Sequence, residues 1–251
     1  MPVSRRDFFG GVAALSALAT IPAARAADAA KRIMVYGDSN TWGYIGVLSG
    51  STTRFPAEVR WPGVLRAALG AGYEVIEEGL SARTTDVADP TLPQISGAGL
   101  DGTAYLPAAL ATHLPLDLIV IMLGTNDVKK MFNRSAMRIA LGMGRLVDIV
   151  AQTKGGVGTT YPAPKVLVVS PPPLGNVQPA DRADRFGGAD GVAKIKALPA
   201  LYEAIAKSAG AEFLDGGKFT RTDGVDGVHL TPDNHKALGL GIAKKAKEIL
   251  G

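Results

Sequence analysis

Ser39 stands in Gly37-Asp38-Ser39-Asn40-Thr41-Trp42-Gly43, directly after a short apolar run. A hydroxyl is a weak nucleophile until a base takes its proton, so a reactive serine needs a histidine within reach. The chain has three: His113, His229 and His235. His229 lies in Asp226-Gly227-Val228-His229. A turn of that spacing can bring both side chains to one side, where the carboxylate fixes the imidazole tautomer and stabilises the imidazolium formed during attack. His113 is read at a helix end, where a cation suits the dipole, and His235 four residues into the last helix with a solvated ring; both are taken as structural. Acyl transfer also requires donors aimed at a developing oxyanion. Gly79 and Asn126 follow two further apolar runs. The N–H of Gly79, the side-chain amide of Asn126 and the N–H of Ser39 form the expected three-donor hole. Trp42, three residues beyond Ser39, is placed at the substrate pocket, with core filling as its other reading.

Competing readings of the same residues are weaker. Gly-Asp-Ser after a strand is by itself more often a turn than a nucleophile. Asp38 could serve as a second acid, but beside the serine it suits local turn hydrogen bonds. Ser81 half-matches a nucleophile elbow, with Arg83 where the last glycine belongs. Gly155-Gly156-Val157-Gly158 lacks the Gly-Lys-Ser/Thr ending of a phosphate loop and reads as a solvated connection. No His, Asp and Glu set has metal-ligand spacing, so neither a metal nor another cofactor is expected.

The elements that must position these residues follow from hydrophobic pattern. Apolar runs at 32–36, 73–78, 117–123, 165–170 and 211–215 read as buried strands. Helical spacing covers 62–69, 105–113, 135–153 with Ser135 as N-cap, 191–208, and 232–250 with Thr231 as N-cap and Pro232 at the first helical position. Strands alternating with helices imply parallel strands and right-handed crossovers, hence a three-layer α/β/α sandwich around a five-stranded parallel sheet. Ligands of such sheets bind outside the carboxyl ends of the strands, where strand order reverses. Residues 86–103 and 174–190 read as long surface loops.

Composition agrees with one exported domain. The 251 residues are 47% hydrophobic and 20% charged, which excludes disorder and a membrane-embedded chain. Residues 1–26 read as a removable twin-arginine signal: Ser4-Arg5-Arg6-Asp7-Phe8, an apolar stretch to about Ile21, and the small-x-small site Ala24-Arg25-Ala26. The apolar stretch is too short to span a bilayer, so no stable membrane anchoring is expected. The domain is then 27–251, in the periplasm or outside the cell. Without the leader the formal charge falls from +4 to +2, with no basic run, which gives no electrostatic case for nucleic acid. Cysteine is absent, so disulfides and thiolate metal sites are excluded.

Gly37-Asp38-Ser39, Gly79, Asn126 and Asp226-x-x-His229 resemble, in order, the four sequence blocks of the SGNH (GDSL-type) hydrolases. The resemblance implies a flavodoxin-like fold, Ser39 as nucleophile, Gly79 and Asn126 as oxyanion donors, and Asp226 and His229 as the rest of a triad. Asn40 stands where that motif usually has leucine, a departure that touches packing more than chemistry. Glu77-Glu78-Gly79-Leu80-Ser81-Ala82-Arg83-Thr84-Thr85, Leu123-Gly124-Thr125-Asn126-Asp127 and Asp223-Gly224-Val225-Asp226 resemble the mycobacterial arylesterase/acyltransferase branch. That likeness implies hydrolysis of small aryl and alkyl esters, acyl transfer to alcohols in water, and a large homo-oligomer, an octamer. The expected partners are thus a small-molecule ester with an alcohol or water. Exported location keeps a carbohydrate O-acetylesterase open, and a non-catalytic binding module is the reading from another class.

Overall fold

A computed structural model of the chain describes residues 29–92 and 95–251; the expected leader lies outside them. The chain runs through β1 (Lys31–Gly37), α1 (Ser39–Trp42), α2 (Trp61–Leu69), β2 (Tyr73–Gly79), α3 (Gly102–His113), β3 (Leu118–Met122), α4 (Ala136–Gln152), β4 (Lys165–Ser170), α5 (Ala180–Arg185), α6 (Gly188–Ser208), β5 (Glu212–Asp215) and α7 (Pro232–Leu250). All five strands are parallel, in the order β2-β1-β3-β4-β5. The chain steps outward from β1 to β2, then returns past β1 to build the other half. The switch point is therefore the crevice between β1 and β3. Gly37 pairs level with Gly79 on one side and Met122 on the other, so the residues after β1, β2 and β3 emerge at one edge.

The central strands β1, β3 and β4 are largely apolar because both faces are covered, whereas the edge strands β2 and β5, expected as buried, are mostly half-exposed and carry Glu74, Glu77, Glu78, Glu212 and Asp215. Ile33, Val35, Leu118, Val120, Leu167 and Val169 pack with Trp61 and Leu65 of α2 and Leu238 and Ile242 of α7. The alternate residues Met34, Tyr36, Ile119, Ile121 and Val168 face α3, α4 and α6 through Leu106, Leu110, Met143, Leu146, Leu198 and Tyr202. A side chain on Gly239 of α7 would meet the Trp61 carbonyl and Val64 at 2.8 Å, so its absence lets α7 settle onto α2. The caps act as the sequence implied. Ser135 accepts the N–H of Arg138, and Thr231 forms a capping box with Asn234 ahead of Pro232.

The two segments expected as surface loops are tied down. Buried Asp89 accepts from Lys129 at 3.2 Å and from Thr91, while a single 3-10 turn closes 97–100. The segment 174–190 holds α5 and the start of α6, and Leu174 and Phe186 are buried. Among the described residues no helix is long and apolar enough to cross a membrane.

Candidate active site

Gly37 ends β1, and a side chain there would lie 2.0 Å from Thr41 Oγ1 and 2.8 Å from the Met122 carbonyl. The bare backbone lets α1 turn back against the strand end. Asp38 caps that turn by accepting the N–H of Asn40 at 2.9 Å, and Gly43, at φ +91°, ends it. This is the local-turn role expected of Asp38. Burial pushes its carboxyl up to about 6, against the opposing pull of the Asn40 N–H, His229 and Thr125. Ser39 thus sits at the start of a one-turn helix at the switch point.

The partners arrive from the other end of the chain. Ser39 Oγ is 3.1 Å from His229 Nε2, and His229 Nδ1 is 2.6 Å from Asp226 Oδ2. Gly227, at φ +68°, makes the turn between acid and base, and the other Asp226 oxygen accepts the N–H groups of Val228 and His229 at 3.0 Å each. Burial alone would push the Asp226 carboxyl up. The hydrogen bond and charge of His229, with the two backbone donors, outweigh it and hold the group down at about 2. An ionised Asp226 therefore requires Nδ1 to carry the proton, which leaves Nε2 free to accept from Ser39. Such a relay can activate the hydroxyl for attack on an acyl carbon.

Two side chains fix the imidazole that the sequence did not assign to it. Tyr44 stacks on the His229 ring with centroids 4.3 Å apart. Asn40 donates to the Val228 carbonyl and accepts the Leu230 N–H, both at 3.1 Å, and so clamps the backbone on either side of His229. Arg182 of α5 approaches Asp226 Oδ2 to 3.4 Å and donates to the Val47 and Gln178 carbonyls.

Ser39 and His229 open into a cavity of about 260 Å³, also lined by Asn126, Tyr44, Ser81, Ala82, Lys129, Arg182, Arg185 and Phe186. Residues 35–237 match the model of the GDSL-like lipase/acylhydrolase family. The chain belongs to that family. Its GDSL-like fold aligns over 88% of the chain and 100% of the M. smegmatis aryl esterase, at 51% identity and a TM-score of 0.81. It aligns equally well, at 0.81 and 48% identity over 87% and 99%, with the carbohydrate acetylesterase Est24 from Sinorhizobium meliloti. A lipase/acylhydrolase from Enterococcus faecalis, 19% identical, shares the fold over 88% and 97% at 0.60. None of the curated proteins compared with the chain matches it.

Against this GDSL-like frame, two expected site residues lie elsewhere. Gly79 is packed beneath α1, where a side chain would meet the Trp42 N–H nitrogen at 2.4 Å, and it does not reach the cavity. The chain comes to the cavity three residues later, at Ala82, which is held at φ +70°. Neither the Ala82 nor the Ser39 N–H bonds to another described residue, and the Asn126 amide spends one hydrogen on the Arg83 carbonyl. Trp42 is set back from the cavity, beneath the Arg54 guanidinium and 6.3 Å from the Tyr44 ring, so the aromatic lining comes from Tyr44 and Phe186 instead. His235 is fully buried, not solvated. Its Nδ1 accepts the Trp61 N–H at 3.2 Å, and burial, then the charge of Arg60, pushes its pKa down to about 3. His113 pairs with Glu78 at 2.8 Å, away from the cavity. Arg83, in the failed elbow, is a buried brace over Tyr36 that donates to the Gly37 and Glu78 carbonyls and so ties the ends of β1 and β2. Among the described residues no cluster could hold a metal.

Proposed function

We propose that this hydrolase cleaves small aryl and alkyl carboxylic esters through an acyl-enzyme on Ser39. The observation that carries the reading is the unbroken sequence of hydrogen bonds from Asp226 through His229 to Ser39. His229 Nε2 takes the Ser39 proton as Oγ attacks the ester carbonyl. The oxyanion that forms is met by the N–H of Ser39, the N–H of Ala82 and the side-chain amide of Asn126, so Ala82 replaces Gly79 as the second donor. The imidazolium then gives its proton to the departing alcohol. In the second half His229 deprotonates whichever acceptor enters, water or an alcohol. Tyr44 and Phe186 offer an acceptor alcohol apolar surface beside the nucleophile, which supports transfer alongside hydrolysis, since orientation can offset the excess of water. A homo-oligomer would close this open cavity further, and the leader would deliver the enzyme to the periplasm or the outside of the cell; export lost on replacing Arg5 and Arg6 by lysine tests the latter.

A serine-directed phosphonate tests the central claim: one adduct at Ser39, with ester turnover lost in proportion, supports it. An unlabelled Ser39 would return the chain to the binding-module reading. The 48% identity to a carbohydrate acetylesterase favours a second substrate, O-acetylated carbohydrate. Rates on acetyl, butyryl and octanoyl aryl esters beside acetylated xylan decide between them, and the acid-to-ester product ratio with benzyl alcohol measures transfer.

A further inference from the structure

The cavity that holds the catalytic pair is lined by cations. Lys129, Arg182 and Arg185 all line it, and among its described lining residues there is no carboxylate. Lys129 follows Asn126 by three residues, so its ammonium lies on the segment that carries the oxyanion amide. Its Nζ has one counter-ion, Asp89 at 3.2 Å, which is almost wholly buried behind it. Arg182 makes its hydrogen bonds through Nη1 alone, leaving the other face of the guanidinium without a hydrogen-bond partner among the described residues. Arg185, one turn along α5 at i+3, is exposed and has no hydrogen bond or ion pair to any described residue. The three cations thus outnumber the two carboxylates near them, Asp89 and the Asp226 already bonded to His229, and neither carboxylate lines the cavity. A pocket of one sign with low-dielectric walls concentrates ligands of the opposite sign, and a guanidinium fork matches a carboxylate in two parallel hydrogen bonds.

We propose that the ester this site takes carries a carboxylate, on its acyl or its alcohol half, bound against Lys129, Arg182 and Arg185. The inference rests on the esterase reading above and narrows it from small esters in general to anionic ones. Arg185 supplies the free charge at the rim, and Lys129 and Arg182 extend the field inward to Ser39.

Two matched pairs of substrates test it. The 4-nitrophenyl hemisuccinate and its methyl ester place the charge on the acyl half; 4-acetoxybenzoate and methyl 4-acetoxybenzoate place it on the alcohol half. The readout is the anionic-to-neutral ratio of kcat/KM for the wild type divided by the same ratio for Arg185→Glu, which cancels the intrinsic reactivity of each ester. Reversing an exposed charge leaves the core untouched. The expected result is a quotient of about ten or more in one pair at low ionic strength, approaching one at high salt as the charges are screened; the responding pair names the half that bears the carboxylate. A quotient near one in both pairs, with neutral esters still turned over, overturns this inference alone. No turnover of any of the four esters by the wild type would instead retire the esterase reading.

Discussion

Replacing Ser39 by alanine, His229 by alanine or Asp226 by asparagine breaks a relay whose members act together. Each change is expected to lower kcat on 4-nitrophenyl acetate by on the order of 10⁴ or more, with the circular-dichroism spectrum unchanged. Asn126→Ala removes a donor that matters in the transition state, so kcat should fall by on the order of 10²–10³ while KM moves little; a loss confined to KM would contradict that role. Asn40→Leu restores the usual family residue but severs both hydrogen bonds that clamp the His229 backbone. The expected outcome is a folded protein whose kcat is down by roughly tenfold, with faster exchange of the Leu230 amide as the independent sign that the clamp has gone. That Ser39, His229 and Asp226 come together was legible in the sequence because each sits at a strand end or turn whose chemistry has one economical reading. Ala82 and Tyr44 were not. One Gly43 in the left-handed region turns the chain so that residue 44, not 42, meets the imidazole, and no local pattern announces that. His235 was legible but misread: it shares the buried face of α7 with Leu238, Gly239, Ile242 and Ala246, at the three- and four-residue spacing of a core stripe.

The elements that present the site are held by turns as much as by strands. Gly227, at φ +68°, would place a side chain 2.3 Å from the backbone carbonyl carbon of Asn176. Gly227→Ala should therefore displace either the acid–base turn or the segment before α5, with most activity lost and stability lowered by about 1–3 kcal/mol in urea titration; wild-type activity with an unmoved midpoint would show that the turn tolerates the clash. Strands and long helices were read to within about three residues, because the central parallel strands show as unbroken apolar runs and the helices between them are bounded by caps and turns. The short α1 and α5 escaped for the opposite reason. Four and six residues give no period, and each owes its shape to what it packs on: α1 to bare Gly37 and the strand ends, α5 to the carbonyl of Val47 and the Asp226 carboxylate that Arg182 reaches.

For the whole molecule, the buried His235 links stability to pH. Its folded pKa of about 3 lies below the unfolded value near 6.5, so on acidification the unfolded chain takes up a proton first. The stability it contributes is complete above that unfolded value and drains away as pH falls toward 3. Asp38 and Asp127, both raised to about 6 by burial, work in the other direction: their contribution is full below the unfolded carboxyl value near 3.8 and is lost as pH rises through 6. A wild-type curve alone mixes the two. His235→Gln keeps an acceptor for the Trp61 N–H but cannot titrate, so its unfolding free energy relative to wild type should improve by about 2–3 kcal/mol between pH 7 and pH 4.5. Parallel curves for the two proteins would show that His235 is not the titrating group. The strand order has one more result. Ser39 leaves β1 near the beginning of the fold, whereas its acid and base lie just ahead of α7. During synthesis Ser39 therefore leaves the ribosome long before His229. On the proposed mechanism a chain that has not yet docked α7 holds Ser39 without its base, so ester turnover waits on the last of the described elements to fold.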